Sequence, residues 1–239
     1  MSMRAFSRMM GLPIFDASFA ELRHSLQTGA PALERVDTGG LWSYLNGHPD
    51  EAVIFGQAMA AKAGADIAAV LGAYDFSRFD VIADIGGGRG HLLAAVLDAA
   101  PTAKGILFDL PAVIETLEPP PARLIRQAGD FFTDPLPEAD VYVLMEVIHD
   151  WADPQASHIL RAIRSAASPG ATVLIIEGVV PEQEPDVRVH TLDLIMLMIT
   201  GGRERTASAL GALLEGAGFS VKAVVDTAGP MRIVEAVAT

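Results

Sequence analysis

The 239-residue chain contains no cysteine, which excludes disulfides and thiolate-held zinc. Long hydrophobic runs are missing as well: an unbroken stretch such as 194–199 is far too short to cross a bilayer. No positively charged leader followed by an apolar segment opens the sequence, so the expectation is a cytoplasmic protein with no membrane partner. Cationic clusters are also lacking. Lys and Arg total 17 against 30 Asp and Glu, a net charge of −13. Arg123, Arg126, Arg161 and Arg164 are scattered over strand, helix and loop patterns and form no stripe. Phosphate recognition needs concentrated Lys and Arg, so nucleic acid is not an expected partner and a small molecule is. There are no internal repeats or low-complexity tracts, and the three prolines at 119–121 make only a short rigid turn.

What is present is apolar. Hydrophobic residues are 51% of the chain and, with the 22 glycines, about 60%, above the usual range for soluble domains. The excess implies a large core or a buried partner surface. Residues 1–12 show no clear pattern. Phe15, Phe19, Leu22 and Leu26 recur at helical spacing and predict a helix over 17–27 that stops near Gly29. A short helix carries Trp42 and Leu45. Pro49 then opens a long helix over 50–71 with an apolar face through Val53, Phe55, Met59 and Ile67.

From residue 80 the pattern alternates. Strands are expected at 81–84, 105–109, 123–127, 141–145 and 172–177, and helices at 90–99, 112–117, 155–167, 191–199 and 208–216. Strands separated by helices imply a parallel sheet with right-handed crossovers. Two last strand-like runs, 219–226 and 231–237, are too close for a crossover and must pair antiparallel. The expected class is α/β, a Rossmann-like mixed seven-stranded sheet ending in an antiparallel hairpin. A helical cap layer over 1–75 precedes a cofactor-binding catalytic domain over 76–239.

The stretch VIADIGGGRG, 81–90, is a strand running into a glycine turn, the nucleotide-binding corner of a doubly wound fold. Counting from Gly86 and Gly88, a dinucleotide fingerprint needs its third glycine at 91, where this chain has His91. Asp84, two residues before the first glycine, would repel a pyrophosphate. An acidic tip suits a cationic cofactor without phosphate, and S-adenosylmethionine fits. Asp109 closes the second strand, about 20 residues on, where an acid accepts from ribose hydroxyls, the favoured reading; the alternative is a helix cap before Leu110 and Pro111. Asp130 and Phe131 follow the third strand, placed for an adenine amino group and ring, though as a lone pair they read as loop residues.

His149, in MEVIHDW, follows the fourth strand at the carboxyl edge of the sheet, where such folds bind ligands. Alone it could instead cap the helix start at Asp153 and Pro154. Glu177 closes the apolar strand ATVLIIE, and a carboxylate there needs a partner; neighbouring strands lie about 5 Å apart, so it can reach the site His149 faces. Glu204, in GGRERT, reads by itself as a solvated charge or helix-start residue. Met59, Met196 and Met198 are helical-face methionines, either adaptable core or a flexible wall for a flat substrate. His91 and His190 are structural or substrate-adjacent.

Together these residues resemble the S-adenosylmethionine-dependent O-methyltransferases of the plant caffeate and isoflavone type and their bacterial natural-product tailoring relatives. The strings LWSYLNGHPDEAVIFGQAM, VIADIGGGRGHL, GILFDLPAVI, AGDFF, VIHDW, IIEGVVP, LDLIMLMITGGRERT and LLEGAGF occur in family order from about Phe19 to the C-terminus. The resemblance implies a class I methyltransferase fold and secondary metabolism. Asp84, Gly86, Gly88, Asp109, Leu110, Asp130, Phe131 and Met145 stand at its cofactor positions. His149 stands at its general base, Glu177 and Glu204 at the two flanking acids, and Phe55, Met59, Met196 and Thr200 at its substrate wall. The acceptor implied is a phenolic or enolic hydroxyl on a small aromatic molecule, with no metal. Two departures stand out. Met145 replaces a lysine that many relatives use to hold the cofactor. The family's N-terminal winged-helix dimerisation domain has no counterpart here, which leads to the expectation of a homodimer through 15–71 or a partner chain that supplies the roof. The competing reading is a cofactor-binding protein without methyl transfer, a regulatory remnant or a relative repurposed for hydroxylation or decarboxylation. A nicotinamide oxidoreductase is disfavoured by His91 at the third-glycine position, by Asp84 and by the terminal hairpin.

Overall fold

A computed structural model describes residues 4–183 and 185–239; residues 1–3 of the patternless opening lie outside it. Seven strands form one sheet: β1 (Val81–Ile85), β2 (Lys104–Asp109), β3 (Leu124–Ala128), β4 (Val141–Met145), β5 (Thr172–Gly178), β6 (Phe219–Asp226) and β7 (Met231–Ala238). Their order is β3-β2-β1-β4-β5-β7-β6, with β1 to β5 parallel. β7 runs antiparallel to both β5 and β6, so the expected terminal hairpin closes the sheet.

Ten α-helices occur among the described residues. α1 (Arg4–Met10), α2 (Pro13–Ala20), α3 (Leu22–Thr28), α4 (Gly40–Gly47) and α5 (Pro49–Ala73) precede the sheet. α6 (His91–Ala99), α7 (Pro111–Ile114), α8 (Asp153–Ala166), α9 (Val187–Ile199) and α10 (Ala207–Gly216) follow β1. Strand residues alternate between two cores, as a pleat demands. Ala83, Ile85, Tyr142 and Leu144 pack with α8 and α10 residues such as Ile159 and Leu214. Ile82, Val141 and Val143 pack with Val70 of α5 and Leu93 of α6. A third core joins Phe15, Leu41 and Ala58 of the leading helices to Met198 and Ile199 of α9. α5 therefore belongs to two cores, its first half to the helical layer and its second half to the sheet.

Four local expectations change. The single helix at 17–27 is two helices broken at Glu21, with Gly29 in the left-handed conformation ending the second. α9 begins four residues before its expected start, because the Asp186 carboxylate accepts from the amides of Arg188 and Val189. α7 is a single turn. On α5, Val53 is exposed, and the buried stripe of Ala58, Ile67 and Val70 includes the carboxylate Asp66. By length and composition α5 could cross a membrane, but it packs against α1, α4 and α6 and carries Lys62 and Asp66.

One loop contact positions the rest of the carboxyl edge. The loop after α9 lies on the turn after β4 and on the segment after β5: the Arg203 amide donates to the His149 carbonyl at 2.8 Å, and the Val180 amide donates to the Arg205 carbonyl at 2.9 Å. Gly202 has no room for a side chain. A Cβ there would lie 2.0 Å from the His149 carbonyl oxygen and 2.4 Å from the Asp150 carbonyl carbon. Both clashes are with backbone, so the loop itself must move. Gly202→Ala should therefore cost about 1–3 kcal/mol or more and lower Tm by roughly 3–10 °C. A thermal melt indistinguishable from that of the unsubstituted protein would show that the two segments are not in this contact.

Candidate active site

The glycine turn is built from three residues with positive φ, Gly86, Gly88 and Gly90. Asp109, at the end of the neighbouring strand β2, closes it: Oδ2 accepts from the Gly88 amide and Oδ1 from the Leu110 amide, each at 2.7 Å. The helix-cap alternative does not hold, since no side chain caps α7. Each Asp109 oxygen keeps a lone pair free for a diol. Asp84 is 2% exposed and sits beneath the turn; a Cβ on Gly87 would meet its carboxyl group at 2.4 Å. Burial and then the charge of Asp109 push Asp84 up to about 7, against a hydrogen bond from the Leu93 amide. Its Oδ2 is buried with no hydrogen-bond partner.

Neither acid is ion-paired among the described residues. Two desolvated carboxylates without a counter-cation fit a cationic cofactor and disfavour a pyrophosphate. Asp130 Oδ1 accepts from the Phe132 amide at 2.9 Å in a local turn, and the Phe131 ring lies 3.7 Å from where a Gly86 Cβ would be. Met145 is half-buried against the core shared with α6.

β4 ends in a strained turn, with Glu146 at φ 54°. Lys62 of α5 forms an ion pair with Glu146, tying the helical layer to the carboxyl edge. His149 follows, 4% exposed. It does not cap α8, which begins without any side-chain cap. Its Nδ1 lies 2.7 Å from Glu204 Oε1, and its backbone amide donates to Glu177 Oε1 at 2.9 Å. The carboxylate of Glu204 can only accept, so Nδ1 carries the proton and, whenever the ring is neutral, Nε2 is the accepting nitrogen. Nε2 stands 3.8 Å from Asp150 Oδ1.

The two glutamates thus have separate tasks: Glu204 fixes the ring, whereas Glu177 holds the main chain. Glu204, which by itself reads as a solvated loop charge, has a fully buried side chain. Burial opposes charge on His149, but Asp150, Glu204 and Glu177 together outweigh it and raise the ring to about 10. Burial pushes Glu177 up to about 7, against the pull of His149 and with the help of Glu204.

Two features were not legible in the sequence. Arg205, beside Glu204, is 4% exposed and donates to the carbonyls of Ile148 and Trp151 and to Asp153 Oδ1. It anchors both flanks of the His149 turn, and the run of charges in GGRERT gave no hint of which would be buried. The second is an aromatic wall. Trp151 stacks on Trp42 at 6.4 Å and meets the edge of Phe131 at 5.8 Å, while Trp42 meets Phe55 at 6.0 Å. Among the expected wall residues, Phe55 and Met59 are half-buried against the third core, and Met196 is half-buried on α9. The Thr200 hydroxyl is spent on the end of α9, donating to the Met196 carbonyl. Met198 is core, at 1% exposure. His190 bonds only locally, to the Asp186 carbonyl, and His91 is exposed at the start of α6.

Residues 19–220 match the model of the O-methyltransferase domain. The phenazine O-methyltransferase of Lysobacter antibioticus is 38% identical over 98% of this chain and 70% of its own length. The structure of human N-acetylserotonin methyltransferase in complex with S-adenosylmethionine superposes with a TM-score of 0.91, at 30% identity, covering 99% of this chain and 70% of that one. An O-methyltransferase from neocarzinostatin biosynthesis, solved with S-adenosylmethionine and 2-hydroxy-5-methyl naphthoic acid, superposes at 0.84 with 34% identity, covering 99% and 71%. The chain spans about 70% of the length of these relatives. With the seven-stranded sheet, the glycine turn and its acids already in place, these matches make the chain a member of the S-adenosylmethionine-dependent O-methyltransferase family.

Proposed function

We propose that the chain methylates a phenolic or enolic hydroxyl of a small aromatic, natural-product-like acceptor, with His149 as the general base. The observation that carries this reading is the buried His149–Glu204 pair, which fixes Nδ1 and leaves Nε2 to take the acceptor's proton. S-adenosylmethionine, when bound, supplies an electrophilic methyl carbon. In this reading Asp109 holds its ribose diol, Asp130 and Phe131 its adenine side, and Gly86 and Gly88 let the backbone come close, with Leu110 and Met145 flanking. Asp84 acts through charge from beneath the turn. Phe55, Met59, Met196 and Thr200, with Trp42 and Trp151, form the wall for a flat ring. An aromatic acceptor is in keeping with the naphthoic acid bound by one relative. The exposed Leu26 and Val53 on the leading helices and Val187 and Leu194 on α9 favour pairing with a second copy or a partner chain. The relatives' roles point to secondary metabolism, with the chain in the cytoplasm.

The cofactor reading is tested by calorimetry with S-adenosylhomocysteine. Asp109→Asn removes the charge and replaces one of the two oxygens that accept from Gly88 and Leu110 with a donor, so it should weaken binding by about 1–3 kcal/mol. Tight binding of NADH, or unchanged affinity in the variant, would sink this assignment.

His149→Ala should lower kcat by about 10²–10⁴-fold while sparing cofactor affinity. The pH profile gives a second readout. A ring raised to about 10 is protonated in the resting enzyme at neutral pH, and only its deprotonated form is a base. The logarithm of kcat/KM should therefore climb with near-unit slope from about pH 7 to about pH 9. Glu204→Gln removes a charge that holds the proton on the ring, so the rising limb should move to lower pH as kcat falls. A flat profile over that range in the unsubstituted enzyme, acting on an un-ionised phenol, would place the base elsewhere.

A further inference from the structure

The Lys62–Glu146 ion pair does more than fasten α5 to the sheet. Both side chains are half-buried, and neither is fully used. Among the described residues the Lys62 ammonium, with three donors, makes one hydrogen bond, and Glu146 accepts through Oε1 alone. Lys62 also borders an opening of about 590 Å³ shared with Asp66 and Arg188, so its remaining donors are not walled off by protein. Glu146 is the one non-glycine residue with positive φ among those described, a conformation that persists only where the surroundings over-determine it.

The pair stands between the glycine turn and the His149 turn. β1 and β4 are neighbours, with Asp84 opposite Val143, so the two turns leave the sheet side by side. Val147, next to Glu146, lies 3.1 Å from where a Gly86 Cβ would be. α5 passes over the same turn: a Cβ on Gly56 would lie 3.3 Å from Arg89 Cδ. Lys62 follows six residues later, about 9 Å along the helix. On the far side, the charges of Glu146 and Lys62 both act on Asp150, beside His149.

The strand order says which part of the cofactor meets this pair. Asp130 follows β3 and Asp109 ends β2, and in the reading above they hold adenine and ribose. Along β3-β2-β1-β4, whatever lies beyond the ribose runs towards β4, and Glu146 stands at its end. That remaining part is an amino acid, with a carboxylate and an ammonium on one carbon. Asp84 and Asp109 would repel the carboxylate, whereas a half-buried lysine with donors to spare complements it. We propose that Lys62 and Glu146 clasp the amino-acid end of the cofactor, Lys62 donating to its carboxylate and Glu146 accepting from its ammonium. This rests on the assignment of Asp109 and Asp130 to ribose and adenine, and it adds the residues that hold the third part.

Calorimetry with three nucleosides tests the clasp. S-adenosylhomocysteine carries both charges, S-adenosyl-3-thiopropylamine keeps the ammonium without the carboxylate, and methylthioadenosine has neither. Lys62→Met should weaken S-adenosylhomocysteine by about tenfold or more and should not weaken the other two. Glu146→Gln should weaken S-adenosyl-3-thiopropylamine by about tenfold and leave methylthioadenosine unchanged. Unaltered methylthioadenosine binding also shows that each variant is folded; if Lys62→Met is not, Lys62→Gln carries the same test. Unchanged affinity for S-adenosylhomocysteine, or an equal loss on all three ligands, overturns the proposal. If methylthioadenosine binds and is weakened by Asp109→Asn while Lys62→Met changes nothing, the ribose assignment stands and the clasp falls. If no nucleoside binds the unsubstituted protein, both fall.

Discussion

The carboxyl edge of this sheet depends on a close backbone contact, the seating of the loop at 201–206 on the turn at 147–151. Gly202 lets the two main chains touch, and Arg205 then spends its guanidinium on the carbonyls of that turn and on Asp153. Only with that seating does Glu204, 55 residues away in sequence, come within 2.7 Å of the His149 ring. An imidazole among buried carboxylates is tolerable because each group offsets the desolvation of the others, while removal of any partner leaves an uncompensated charge. The placing of the His149 ring is thus a property of the loop contact as much as of His149 itself.

The glycine turn solves a different electrostatic problem. Asp84 and Asp109 are both desolvated and neither has a cation among the described residues, so burial holds both above the ordinary carboxylate range. Asp109 partly offsets this by accepting two backbone amides, which also shapes the turn. A positively charged ligand would favour their ionised forms, whereas a pyrophosphate, which the fold accepts elsewhere, would oppose them.

α5 links these two regions to the rest of the molecule. Its first half lies in the helical layer with Trp42 and Phe55, its last turns lie on the sheet with Ile67 and Val70, and between them Lys62 reaches Glu146 at the strained end of β4. A helix shared by two cores cannot shift in one without disturbing the other, because close-packed interiors deform little. Phe55 and Met59 are therefore held rigidly relative to the turn that carries His149.

The sequence by itself determined the alternation of strands and helices, the closing hairpin, the glycine turn and the placing of Asp109 and His149 at strand ends. Those features rest on periodicity, on glycine conformation and on short-range order, all of which are local. Its resemblance to a family also put Glu177 and Glu204 beside His149. Tertiary structure alone decided the rest: that Glu204 holds the ring while Glu177 holds the main chain, that Arg205 is buried and Arg203 is not, that Asp186 starts α9 early, and that Asp66 faces a cleft instead of solvent. Whether a charge is buried depends on which distant segments surround it, and a burial penalty of several kcal/mol per ion is set by those neighbours, not by the residues beside it in the chain.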